Sequence, residues 1–168
     1  MMNLSALKID PEFQGKIPPL NAEEEHILEQ NMIQERRLLN PIIIWNGYIL
    51  DGHSRYRILK HHPEIAFEVK EIQLTDRYAA LAWICQNQLG RRNLDPERRK
   101  FLMGKAYENE KLSVGAPVGN QNKVNQCGQN VHIDLHKRTC ERIAERNGVN
   151  SKFVQRAEKY AKGVDAAE

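Results

Sequence analysis

The sequence has few of the features that mark secreted and membrane proteins. Its 168 residues include three cysteines, Cys85, Cys127 and Cys140, and this odd, widely spaced set argues against a disulfide framework and favours a reducing compartment. No apolar run approaches the roughly 20 residues that a membrane span needs, and the N-terminus lacks the apolar core of a secretory signal. We therefore expect a cytoplasmic protein without membrane partners. The hydrophobic content of 40% is enough for one standard domain and a small one.

The net charge of +3 is unevenly distributed along the chain. Residues 1–114 contain 16 basic and 16 acidic side chains, whereas residues 115–162 contain 9 basic and 4 acidic ones. This asymmetry predicts a separate anion-binding module in the C-terminal part, and nucleic acid is the usual partner of such a module.

A strand-turn-helix pattern at residues 41–57 is the strongest local signal. Two runs of β-branched and aromatic residues flank Asn46-Gly47, a pair typical of a two-residue hairpin turn. A helix should begin directly after Gly52, where the missing Cβ lets a ligand approach the backbone. Free N–H groups at a helix start and a nearby guanidinium attract anions. The pattern indicates a phosphate-binding site made of these residues: Asp51, Gly52, His53, Ser54, Arg55 and Arg57.

The stretch Asp51-Gly52-His53-Ser54-Arg55-Tyr56-Arg57 resembles the nucleotide-binding box of the ParB N-terminal superfamily. That superfamily includes partition proteins, sulfiredoxins and a group of free-serine kinases. The resemblance extends over residues 5–112. It implies an α/β (α+β) fold with a small mixed sheet flanked by helices, and a bound nucleoside triphosphate, CTP or ATP, with or without Mg²⁺.

His53 stands where this chain departs from two branches of the superfamily. Partition proteins usually carry an acidic residue there that is linked to CTP hydrolysis, and sulfiredoxins need a nucleophilic cysteine. The Asp-Gly-His-x-Arg pattern is closer to the serine kinases, which also need a catalytic carboxylate on the first strand; Asp10 and Glu12 are the candidates. We expect binding rather than turnover. CTP hydrolysis, and phosphoryl transfer to a small molecule with His53, Asp10 or Glu12 as the catalytic group, are the alternatives.

Two residues of the box have more than one interpretation. The imidazole of His53 could act as a general acid, as a phosphate donor or only as a hydrogen-bonding group at the helix start. Asp51 could coordinate a metal ion together with the phosphates, or end the strand with an Asx-type bond, which we favour. Arg55 is the residue that we most expect to contact the ligand.

Residues 95–136 are predicted to connect two domains. Asp95-Pro96-Glu97 is typical of a helix start, with an N-cap, a proline at the first helical position and acid in the first turn. The stretch after it is rich in Gly, Asn and Gln and has no hydrophobic period, as in a flexible linker. We divide the chain into a phosphate-binding domain at 1–94, a connecting helix at 95–112, a linker at 113–136 and a C-terminal segment at 137–168.

The C-terminal segment has the spacing of an all-α helix-turn-helix. Ala144 would face the partner helix, Gly148 would take the left-handed turn position and Val154 would pack between the helices. Asn150 or Ser151 would cap the second helix. The outer face of that helix is basic and amide-rich, as suits phosphates and base edges in a major groove. We expect DNA contacts from Ser151, Lys152, Gln155, Arg156 and Lys159.

The order of the two parts is that of partition-like proteins. The resemblance therefore implies a DNA-binding protein of a plasmid, phage or other mobile element, acting in partition or regulation and associated with the nucleoid or plasmid. It also implies a homodimer. Partition proteins usually add a C-terminal dimerisation domain beyond this point, so either other surfaces form the dimer or the chain is a fragment.

Four side chains with metal-binding potential lie close together in the sequence, at Cys127, His132, His136 and Cys140. Zinc is bound tetrahedrally by such sets, but the pairs of ligands usually show CxxC-type spacing, which is missing here. We expect no metal site from these residues.

Overall fold

The structure of the protein is a computed structural model that describes residues 4–91, 94–113 and 137–167. The chain divides into two compact units, Met1–Leu74 and Thr75–Glu168. The domain boundary expected at residue 94 stays a prediction, and nearly all of the expected linker lies outside the described residues. The elements in chain order are α1 (Pro11–Gly15), α2 (Ala22–Glu35), β1 (Ile42–Trp45), β2 (Tyr48–Asp51), α3 (His53–His61), β3 (Val69–Glu71), α4 (Arg77–Leu89), α5 (Pro96–Ser113), α6 (Thr139–Asn147) and α7 (Ser151–Asp165).

A three-stranded mixed sheet of order β2-β1-β3 forms the centre of the first unit. Strands β1 and β2 are antiparallel, and Asn46 and Gly47 join them with φ angles of 49° and 79°, as a type I′ turn requires. Strand β3 lies parallel to β1 on its other edge. The small mixed sheet flanked by helices, and the hairpin within it, confirm the prediction from the sequence.

Residues 67–74 alternate between apolar and polar side chains as in a strand, but β3 is limited to Val69–Glu71. It pairs with β1 alone, and the register aligns Ile42 with Val69 and Ile44 with Glu71. The pairing with β1 ends at Ile72, whose backbone N–H donates to the carbonyl oxygen of Ile44 at 2.9 Å.

The core of the first unit lies where the sheet meets α2 and α3. Alternate residues of β1, Ile42 and Ile44, are fully buried, as expected for a strand with one face on a core. The cluster consists of Leu7, Met32, Ile42, Ile44, Ile49, Tyr56, Ile58, Leu59 and Ile65.

The second unit is helical, and α5 packs closely against both α4 and α7. Its core combines residues from all four helices: Cys85, Leu89, Phe101, Leu102, Met103, Ala106, Cys140, Ile143, Ala144, Val154, Ala157 and Ala161. Asp76 caps α4 and Asp95 caps α5, since their carboxylates accept the backbone N–H groups of Ala79 and Arg98 at 2.8 Å. No helix in the described ranges combines the length and hydropathy of a membrane crossing.

Candidate phosphate-binding site and nucleic-acid interface

Helix α3 begins at a glycine that no other residue type would replace without strain. Gly52 has a φ of 104°, in the region that L side chains rarely adopt. A Cβ here would also lie 3.0 Å from Nη2 of Arg55 and 3.3 Å from Cγ1 of Ile42. None of the described side chains caps the N-terminus of α3 by a hydrogen bond. The sequence argument for a glycine and a helix start at this point therefore agrees with the geometry.

Arg55 folds back over Gly52 and pairs with the last residue of β2. Its Nη2 donates to Oδ2 of Asp51 at 2.8 Å, and the two side chains are only 16% and 17% exposed. The guanidinium thus lies at the start of α3, one turn into the helix, with a carboxylate as its internal counter-ion. An incoming anion would compete with Asp51 for this guanidinium.

His53 is the buried polar residue of the site. Its side chain is 6% exposed, and neither ring nitrogen has a hydrogen-bond partner among the described residues. Burial lowers the pKa of His53 below its usual value, while the charge of Asp51 opposes this shift and that of Arg57 adds to it. Since burial disfavours the imidazolium, the ring is neutral at physiological pH and carries one donor and one acceptor.

Ser54 and Arg57 lie on the more exposed side of α3. Nη2 of Arg57 is 3.0 Å from Oε1 of Glu25 on α2, and 3.5 Å from Oγ of Ser54. The sequence offered no signal for Glu25, because the pair joins two helices that are far apart along the chain. Arg57 therefore has a protein partner on α2 in addition to the ligand role expected for it.

The two carboxylate candidates lie at the start of α1. Lys8 pairs with β2 in a parallel sense through Lys8 N to Gly47 O and Ile49 N to Lys8 O, both at 2.9 Å. The chain at Lys8 therefore runs parallel to β2. Oδ1 of Asp10 accepts the backbone N–H groups of Glu12 and Phe13, so this carboxylate caps α1.

The C-terminal helices form a hairpin around Gly148. This residue has a φ of 64°, which is the left-handed turn conformation predicted for it. Asn150 caps α7 by accepting the N–H group of Phe153 at 2.7 Å. Val154 is fully buried in the core of the unit, as predicted. The opposite face of α7 exposes Lys152, Gln155, Arg156 and Lys159, with Ser151 half-buried.

The exposed cations of α7 differ from seven other basic side chains of this unit. Lys105, Lys111, Lys137 and Lys162 each form an ion pair with a carboxylate, as do Arg138, Arg142 and Arg146. Within the described part of the chain, Lys152, Arg156 and Lys159 have no carboxylate partner. They stand at positions i, i+4 and i+7, which share one face of a helix. We call these three residues the α7 stripe.

The four metal-ligand candidates of the sequence are mostly outside the described residues, which leave out Cys127, His132 and His136. Cys140 belongs to the core of the second unit and is 2% exposed. Among the residues that the structure describes, no cluster of His, Cys, Asp and Glu could hold a metal ion.

Comparisons with known proteins point to a single fold. No protein-family model matches the chain, and no curated protein does so either. A solved structure titled as a Pnob8-like ParB-N domain superposes with a TM-score of 0.55 and 23% sequence identity. The fold is ParB N-terminal-like. The match covers 66% of this chain but only 44% of the solved one, so this ParB N-terminal-like chain spans under half of that relative's length.

Proposed function

We propose that this protein binds double-stranded DNA through the α7 stripe, as a ParB-like protein of a plasmid, phage or other mobile element would do in partition or regulation. The observation that carries the proposal is that the stripe has no internal counter-ions among the described residues, whereas seven other cations of the helical unit are paired with carboxylates. Exposed, unpaired cations along one helix face can replace the counter-ions that condense on phosphates, and this release drives binding. Gln155 adds an amide suited to base edges.

The salt dependence of DNA binding tests this proposal. Wild-type protein should bind a mixed-sequence duplex, and the affinity should fall steeply as salt rises. Arg156→Ala combined with Lys159→Ala should lower the slope of log affinity against log salt by about 2, because each lost phosphate contact removes roughly 0.9. The control is Lys60→Ala combined with Lys70→Ala, which removes the same charge from the first unit. Equal effects of the two double variants would reject the α7 stripe as the binding face.

We also propose that the N-terminus of α3 binds a nucleoside triphosphate, CTP or ATP. Three observations support the proposal: the left-handed Gly52, the absence of a capping side chain, and a guanidinium held at the same helix start. The backbone N–H groups and the helix dipole attract phosphate, and Arg55 can grip it bidentately. Isothermal titration with CTP, ATP and ADP, with and without Mg²⁺, tests the site. Absence of heat with every nucleotide would reject it.

The geometry favours binding over phosphoryl transfer. A phosphotransferase of the serine-kinase type needs a carboxylate that reaches the phosphates, but an oxygen of Asp10 already accepts two backbone N–H groups of α1. Incubation with labelled ATP and free serine tests the alternative, and a phosphoserine product would overturn our preference.

The expected homodimer and the association with nucleoid or plasmid also remain proposals. Analytical ultracentrifugation tests the homodimer.

A further inference from the structure

Helix α5 carries three lysines along its contact with α7, and two of them are neutralised by carboxylates of α7. Nζ of Lys105 is 2.9 Å from Asp165, and it also contacts Glu108 of its own helix. Nζ of Lys111 is 2.6 Å from Glu158. Desolvation raises the pKa of Glu158, but hydrogen bonds from Lys111 and Lys162 outweigh it and lower the pKa, so this carboxylate is ionised. These contacts are structural ion pairs between the helices.

Lys100 is the third lysine, and an aromatic ring takes the place of the carboxylate. Its Nζ lies 4.3 Å from the centroid of the Tyr160 ring on α7. No carboxylate among the described residues pairs with it. A ring face attracts an ammonium through its quadrupole, which fixes the position of the ammonium but leaves its full positive charge.

The ring that holds Lys100 borders the α7 stripe. Tyr160 directly follows Lys159 and stands one helical turn after Arg156. The backbones of α5 and α7 approach closely at Gly104, one turn after Lys100, and at Ala157, one turn before Tyr160, so the position of Lys100 relative to α7 is fixed by packing. Lys100 adds a fourth positive charge beside the three cations of the α7 stripe. No carboxylate among the described residues compensates this charge.

We propose that Lys100 is a further phosphate-contacting residue of the DNA interface, which places part of the contact surface on α5, outside the helix-turn-helix. The proposal rests on the proposed DNA binding by the α7 stripe. Tyr160 acts as the positioning residue, because it orients the ammonium without neutralising it. A surface made of two helices from one compact unit would follow the duplex backbone over a longer distance than α7 alone.

The test compares two lysines that have the same kind of contact in different units. Lys60 lies over the ring of Tyr56 at 4.8 Å in the first unit, and Lys60→Met removes one charge there while retaining an apolar stem. Lys100→Met makes the matched change beside the α7 stripe. Affinity for a mixed-sequence duplex of about 30 base pairs, roughly three turns, is measured against salt for both variants and the wild type. Thermal melting confirms that each variant is folded.

We expect Lys100→Met to lower the salt slope by about 0.9 and to weaken binding on all sequences, while Lys60→Met leaves the slope unchanged. An unchanged slope for Lys100→Met, or equal losses for both variants, would overturn the role of Lys100. The α7 stripe variants decide the underlying function separately. If they lower the slope and Lys100→Met does not, only the further inference fails; if the wild type shows no salt-dependent binding, the proposed function fails with it.

Discussion

Alanine at position 104 should disrupt the packing of α5 against α7. A Cβ on Gly104 would lie 2.2 Å from the carbonyl oxygen of Ala157, 2.6 Å from the carbonyl carbon of the same residue and 2.9 Å from Cβ of Ala161. Non-bonded carbon atoms prefer separations of about 3.5–4 Å, so the two helices would have to move apart by roughly 1 Å. The obstacle is main chain, which cannot escape by changing a rotamer.

The expected magnitude follows from two opposing contributions. Overpacking costs about 1–3 kcal/mol and occasionally more, and a clash with backbone belongs at the upper end. Alanine returns at most about 1 kcal/mol of helix propensity. We therefore expect Gly104→Ala to lower the free energy of unfolding by about 2 kcal/mol. Gly163→Ala in α7 is the matched control, since its Cβ would meet no atom of the described residues within 4 Å. It should raise stability by roughly 0.5–1 kcal/mol.

Urea unfolding provides the assay, because the two tryptophans lie in different units. Trp83 belongs to α4 and Trp45 to β1, so in a Trp45→Phe background the fluorescence follows the helical unit. The midpoint should shift down for Gly104→Ala and up for Gly163→Ala with the denaturant slope unchanged. Gly104→Ala with wild-type or higher stability would refute the close approach of α5 and α7, and with it the fixed position of Lys100.

Two further predictions concern the first unit. Asp51→Asn should raise the affinity for CTP or ATP in the absence of Mg²⁺ by about fivefold, or ~1 kcal/mol. The reason is that the ligand no longer competes with a carboxylate for Arg55. Unchanged or weaker binding in isothermal titration would contradict this prediction. The hydrogen bond to Glu29, followed by that to Glu64, raises the pKa of His62. Below the usual histidine pKa of about 6.5, the wild type should therefore be more stable than His62→Gln, and it should lose this advantage as pH rises past the raised pKa of the folded state. A pH-independent difference in urea midpoint between the two proteins would argue against the pairing of His62 with Glu29.

Local chemistry explains what could be predicted from the sequence. Asn46 and Asn150 favour a backbone conformation through their side chains, and Gly47 and Gly148 do so because they lack a Cβ. The turn or cap appears at each predicted position. The mixed sheet is confirmed for the same reason, since two of its three strands are joined by that turn. Interactions that act over a few residues leave a pattern in the sequence.

Contacts between distant segments leave no such pattern. The length of β3 depends on β1, and the partner of Arg57 is Glu25 on another helix. Gly104 lies inside a helix, where a glycine in the sequence predicts only a lower helix propensity. The close contact that it allows with Ala157 is visible only in the structure. The sequence of α5 likewise does not indicate which of its lysines have counter-ions. These features depend on tertiary contacts, so the sequence alone does not predict them.

The start of α3 differs from the starts of most described helices. Side chains of Asx type cap five of the described helices, namely those that follow Asp10, Asn21, Asp76, Asp95 and Asn150. Helix α3 instead follows Gly52 and has no capping side chain among the described residues. Its first turn holds the imidazole of His53, which has no hydrogen-bond partner in the same part of the chain. A missing cap costs about 1 kcal/mol and a buried unpaired polar group a similar amount or more. Such costs are concentrated at functional sites, because the donors that no protein group accepts are those that can bind a phosphate.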